Sequence, residues 1–168
     1  MRGSCYRPVR GMPYSRKEYI ESIPSTKLNK FVMGTFKTDY DTKVLLVAGN
    51  EAQIRDNALE AARTAANKLL SREVGDANYY LLIKKYPHVI LRENKMIATA
   101  GADRLQEGMR RAFGKPIGLA ARVKAGEPVM EVQTYSTYLA KVKEALKVAS
   151  SKLPISTDIR VTTAAVQR

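Results

Sequence analysis

The sequence predicts an α+β fold: a mostly antiparallel sheet sandwich with two helices packed on it, a basic N-terminal arm and a long glycine- and arginine-rich loop. Three observations predict it. Only two segments, 50–73 and 137–153, hold a helical apolar period. The short apolar runs between them come in pairs separated by turn residues, as antiparallel pairing requires, and not by helical crossovers. The positive charge is concentrated at the N-terminus and between residues 94 and 125. A chain of 168 residues suits one globular body, here 31–168, with an arm, 1–30, and a protruding loop, 94–117.

Each element has its own local reason. Residues 1–30 contain Pro8, Pro13, Pro24, Gly3 and Gly11 and interleave cations with Tyr6, Tyr14 and Tyr19. No period there outlasts a turn, which predicts an extended arm that packs against something else. "KFVMGTF" (30–36) and "KVLLVAG" (43–49) have strand composition around "KTDYDT", predicting a hairpin. Asn50 followed three residues later by Gln53 reads as a capping box. The helix it opens carries Ile54, Ala58, Ala61, Ala62, Ala65 and Leu69 on one face, and Gly75 closes it. "YYLLIK" (79–84) and "HVILRE" (88–93) follow as strands joined through Pro87, with His88 reading as a structural or RNA-facing group. "GLAARVK" (118–124) and "VMEVQT" (129–134) flank "AGEP" as a second hairpin. A helix beginning near Ser136 or Thr137 places Leu139, Val142, Leu146, Ala149 and Leu153 on one face, and Pro154 ends it. "STDIRVTT" (156–163) alternates as a final strand with Ile159 and Val161 inward.

The net charge of +13 is unevenly placed. Segments 1–30 and 94–125 each carry +5, whereas 31–93 carries +1 and 126–168 carries +2. A nearly neutral body with two basic regions is the distribution expected of a polyanion binder. One cysteine, Cys5, excludes an internal disulfide, and with the single His88 it leaves too few soft ligands for a tetrahedral zinc site. No apolar run approaches the roughly 20 residues of a membrane span, and the N-terminus lacks the apolar segment of a signal peptide.

Catalytic readings fail on spacing. "GMRRAFGKP" ends in Gly-Lys, as a phosphate loop nearly does. Five residues, not four, separate Gly108 from Gly114, and Pro116 follows Lys115 where a Ser or Thr would hold magnesium. Asp103 and Glu107 lie one helical turn apart, but Arg104, Arg110 and Arg111 keep both ionised. No G-x-S-x-G or H-E-x-x-H motif occurs, so no catalytic, metal or cofactor residue is assigned. Recognition remains. Leu105, Met109 and Phe113 fall at i, i+4, i+8, and allow either a short helical turn packed on the body's own core or an arginine-bearing loop that orders on RNA.

"NKMIATAGADRLQEGMRRAFGKPIGLAARV" (94–123), "CYRPVRGMPYSRKEYIESIPSTKLNKF" (5–31) and "ALEAARTAANKLL" (58–70) closely resemble the universal large-subunit ribosomal protein family, numbered ten in eukaryotes, ten-e in archaea and sixteen in bacteria. Nearly the whole chain is covered. Eukaryotic members carry more cysteines in the arm and a longer tail, so the archaeal branch is expected. The resemblance implies a non-enzymatic, cofactor-free constituent of the cytoplasmic ribosome, with other large-subunit proteins as neighbours, no membrane and no homo-oligomer. It implies binding to large-subunit rRNA near the 5S rRNA and the tRNA-accommodation corridor. The loop 101–116 would point toward the peptidyl-transferase centre and the acceptor ends of A-site and P-site tRNA, with Arg104, Gly108, Arg110, Arg111, Gly114 and Lys115 facing rRNA or tRNA. Arg2, Arg7, Arg10, Arg16 and Lys17 of the arm would thread between rRNA helices, with Tyr6 and Tyr14 stacking on bases, and Lys27, Lys95, Arg122 and Lys124 would complete the rRNA-binding set. The competing classes are an RNA-modifying or phosphate-handling enzyme with a basic substrate channel, and a general nucleic-acid chaperone.

Overall fold

The computed structural model describes residues 2–95 and 108–163. In chain order the elements are β1 (Val32–Gly34), β2 (Thr42–Ala48), β3 (Ala52–Arg55), α1 (Asp56–Glu73), β4 (Tyr79–Ile83), β5 (Val89–Glu93), β6 (Lys115–Val123), β7 (Pro128–Thr134), α2 (Leu139–Ser150) and β8 (Thr157–Thr163). They form two antiparallel sheets, one of five strands in the order β1-β4-β7-β2-β8 and one of three in the order β3-β6-β5. The α+β class and the pair of helices agree with the sequence reading. One core joins the layers: Leu59, Ala62, Ala66 and Leu70 of α1 and Val142, Ala145, Leu146 and Ala149 of α2 pack with Val44, Leu46, Leu81, Met130 and Val132 of the larger sheet. Ile54, Ala121 and Val123 bring the smaller sheet into the same cluster. Among the described residues no helix is long and apolar enough to cross a membrane.

None of the expected hairpins forms. β1 pairs with β4, and β2 lies between β7 and β8. β4 and β5 belong to different sheets, and so do β6 and β7. Alternation along a strand reports which face is buried but not which strand lies alongside. Between β2 and β7 the match is of buried rows, with Val44 opposite Val132 and Leu46 opposite Met130. On the other side Ile159, opposite Leu46, packs half-buried on the core, whereas Val161, expected inward, is 39% exposed because β8 is an edge strand. The turn at Gly126, with φ +84°, therefore carries the chain from one sheet to the other.

The capping box is also corrected. "AQIR" is strand β3, with Ala52 and Ile54 buried and Gln53 and Arg55 half-buried, a period of two and not 3.6. Asn50 instead donates through Nδ2 to Ser156 Oγ at 3.2 Å. α1 starts at Asp56, a buried carboxylate that accepts the Asn57 N–H at 2.8 Å and the Lys27 N–H at 2.9 Å. Moving Ile54 out of the helix shifts the buried stripe to Leu59, Ala62, Ala66 and Leu70, leaving Ala61 exposed. Alanines on several faces made the helical phase ambiguous. Gly75, at φ +84°, closes α1 as expected, and its N–H returns to Leu70 O at 3.1 Å. In α2 the buried stripe runs through Val142, Ala145, Leu146 and Ala149, and Leu139 is half-buried.

Alternation sends Glu131, between Met130 and Val132, to the face of the larger sheet away from the helices. Glu131 is 1% exposed, and its carboxylate is bracketed by Lys43 Nζ and Lys84 Nζ, each at 2.8 Å, with Gln133 Nε2 donating at 2.8 Å. Burial raises its pKa, but the hydrogen bonds from Lys43, Lys84 and Gln133 outweigh it and lower the value to about 2.

Candidate nucleic-acid interface

In the three-stranded sheet β6 is central, so β3 and β5 are the edges. The N-terminal segment satisfies both. Gln53 N–H of β3 donates to Arg7 O at 2.8 Å, and Ile90 N–H of β5 donates to Tyr14 O at 2.9 Å. Between these points Arg122, on β6, donates to Gly11 O at 2.7 Å and Arg10 O at 3.2 Å, and to Gln53 Oε1 at 3.2 Å. Gln53 Nε2 adds bonds to Tyr6 O and Pro8 O, both at 3.1 Å. The arm thus crosses the face of its own sheet and covers two edges that would otherwise invite strand addition.

That course decides what several predicted residues can do. Tyr6 is 8% exposed, packed with Leu91, Ala120 and Ile117, which removes its ring from the base-stacking set. Burial, reinforced by the Glu93 carboxylate, raises the pKa of its hydroxyl, which donates to Arg92 O at 3.4 Å. Arg122 is half-buried and holds the arm, a role in the protein's own structure. Arg2, Arg7, Arg10, Arg16, Lys17 and Lys27 are exposed, and so are Lys95, Arg110, Lys115 and Lys124. The ion pairs of the described residues fall on a different set of cations: Lys43, Arg63, Arg72, Lys84, Lys85 and Lys141. Lys68, Lys143, Lys147, Lys152 and Arg160 of the body are exposed as well, but the arm and the residues around 110–124 hold their exposed cations close together and outside these ion pairs, which is what phosphate binding needs.

Near 108–116 the chain makes a short 3-10 turn, Gly108–Arg111, and joins β6 at Lys115, opposite Glu93. The segment expected as loop to 117 therefore ends at Gly114. Gly114 has φ +77°, and a Cβ there would lie 2.7 Å from Glu93 C and 2.8 Å from Asn94 N. Its role is to let two backbones pass in contact. Met109 is 76% exposed, so the packed-core reading of that side chain does not hold. Arg104, Asp103, Leu105 and Glu107, and the side chain of Arg111, lie outside the described residues.

Sequence reasoning missed the arrangement that ties the arm to this segment. The Arg92 guanidinium carbon sits 3.4 Å from the Phe113 ring centroid and 4.5 Å from that of Tyr14, and Nη1 donates to Phe113 O at 3.0 Å. Tyr14 meets Phe113 edge-to-face at 5.3 Å. The only available signal was a cation, Arg92, at the end of an apolar strand run.

Comparison with known proteins agrees with these features. Residues 9–160 match the family model described as ribosomal protein L16p/L10e. Proteins named "Large ribosomal subunit protein uL16" are similar over most of the chain. The one from Staphylothermus marinus is 58% identical over 90% of this chain and 87% of its own length. Those from Hyperthermus butylicus and Sulfolobus acidocaldarius are 56% and 55% identical, over 94% and 95% of this chain and 90% and 92% of theirs. The chain belongs to the ribosomal protein L16p/L10e family.

Proposed function

We infer that this chain is a structural constituent of the large ribosomal subunit that binds rRNA through the exposed cations of its arm and of residues 95–124, with no catalytic role. The observation that carries this reading is the match of residues 9–160 to the family, with relatives named as large-subunit proteins. The unpaired state of Arg7, Arg10, Arg16, Lys17, Arg110 and Lys115 among the described residues supports it. On this reading the 1–30 arm and the 31–168 body bind as one unit. The segment 101–116, with Arg104, Arg110, Arg111 and Lys115, reaches toward the peptidyl-transferase centre and the acceptor ends of A-site and P-site tRNA. The 5S rRNA lies nearby. Any effect on peptide transfer comes from positioning RNA.

Gradient sedimentation of native extract tests the reading. The chain should appear in the large subunit at one copy per particle, and recovery only from free fractions would overturn it. If arm and segment neutralise about 6–10 phosphates, affinity for rRNA fragments falls by roughly 10³–10⁵ between 50 and 200 mM salt. A flat salt response would refute the phosphate-binding role.

A further inference from the structure

Between the arm and the start of β6 lies a cleft of about 520 Å³ whose walls include Tyr14, Tyr19, Glu21, Arg92, Phe113 and Lys115. Two of its aromatic rings face water: Phe113 is 61% and Tyr19 68% exposed. Both are oriented by cations on the protein. Arg92 lies on one face of Phe113 at 3.4 Å and is bonded to its carbonyl, and Arg16 lies over Tyr19 at 5.8 Å. A ring held on one face by a guanidinium presents its other face as a stacking platform, and every base has a π-face to place there. Arg92 and Lys115 pair with no carboxylate among the described residues, so the cleft keeps positive charge next to its rings. Glu21, also without a partner there, supplies an acceptor for a base's exocyclic amine.

We propose that this cleft is a slot for one unstacked nucleotide of large-subunit rRNA, its base laid on Phe113 or Tyr19 and its phosphate held by Lys115. The proposal deepens the rRNA-binding reading and rests on it. A duplex does not satisfy the site, because its bases offer no free face and its phosphates alone would leave both rings wet. A peptide would match the rings but not the unpaired Arg92 and Lys115. The walls come from the arm, Arg92 of β5, the turn at Phe113 and Gly114 that Arg92 bonds, and the start of β6, a surface suited to a resident strand of the subunit.

The test uses the full chain with a 12-nucleotide oligocytidylate, whose bases carry an exocyclic amine, and a 12-base-pair RNA duplex at matched salt. Tyr19→Ala and Phe113→Ala should each weaken the single strand by about 5–150-fold while changing duplex affinity less than about twofold. Phe113→Tyr should stay within about twofold of the parent. Tyr19→Ala guards against the possibility that Phe113→Ala merely releases Arg92, and circular dichroism checks the fold of each. Lys115→Ala should weaken both ligands and lower the salt slope by about 0.7–0.9. Equal losses on duplex and single strand, or no loss on the single strand from either aromatic variant, would overturn the slot. In purified large subunits free of tRNA, ultraviolet cross-linking should join an rRNA nucleotide to Tyr19 or Phe113. Cross-links there to a neighbouring protein only would overturn the assignment to rRNA. A chain present in subunits without such a cross-link sinks the slot alone, whereas a chain absent from subunits sinks the ribosomal reading.

Discussion

Replacing Glu131 by Gln keeps the shape of the side chain and removes the charge that Lys43 and Lys84 bracket at 2.8 Å. The carboxyl is lowered from an ordinary 4.5 to about 2, an interval worth about 3 kcal/mol of stability at neutral pH. Lys43 and Lys84 are 41% and 35% exposed, so solvent screens part of this and both ammoniums can turn outward, leaving about 2–3 kcal/mol. A depressed carboxylate stabilises the fold above its unfolded pKa and loses that contribution as pH falls through the folded one. The window is therefore about pH 4.5 down to about 2. Urea unfolding of parent and Glu131→Gln, followed by circular dichroism because the chain has no tryptophan, measures the gap between them. It should be about 2–3 kcal/mol at pH 7 and shrink to about 1 kcal/mol by pH 3, as Glu131 protonates in the parent. Glu60 and Glu127, whose pKa values are also lowered, titrate alike in both proteins and cancel. A gap that stays constant with pH would mean that packing, not charge, holds this site, and the electrostatic reasoning would be refuted.

Arg122→Ala removes the bonds to Arg10 O, Gly11 O and Gln53 Oε1 and should cost about 1–2 kcal/mol, with faster proteolytic cleavage between residues 7 and 16. Unchanged cleavage would show that the edge bonds at Gln53 and Ile90 suffice. Gly114→Ala combines a left-handed backbone with a Cβ 2.7 Å from Glu93 C, so thermal unfolding should report a loss above about 2 kcal/mol. A neutral result would remove the close approach as the reason for glycine. Replacing 102–112 by glycine and serine of equal length, with Phe113 and Gly114 retained, should leave stability within about 1 kcal/mol and impair translation by reconstituted subunits. Loss of the folded state would instead place part of that segment in the core.

Composition and spacing revealed much of this protein before any coordinate. Alternation located the strand segments, the 3-4 spacing of Val142, Leu146 and Ala149 located α2, and Gly75 marked the end of α1. Charge counting placed the basic regions, and the "NKMIATAGADRLQEGMRRAFGKPIGLAARV" run carried the family. Where local signals overlapped, the reading erred: Asn50 and Gln53 satisfy a capping pattern, yet Ala52 and Ile54 obey a two-residue period and form β3.

Sequence alone determined which segments bury a face, where net positive charge accumulates and which family the chain joins, because these depend on residue type and short-range order. Only the tertiary structure decided that β2 lies between β7 and β8, and that Tyr6 is inside the fold while Phe113 is outside. It also decided that Arg122 anchors the arm and that Arg92 joins Tyr14 to Phe113. The physical reason is range. A period or a cap is fixed within one or two turns of chain, whereas the partners of Arg122 lie 111 and 112 positions away. Such contacts exist only after the buried rows of two sheets have chosen each other.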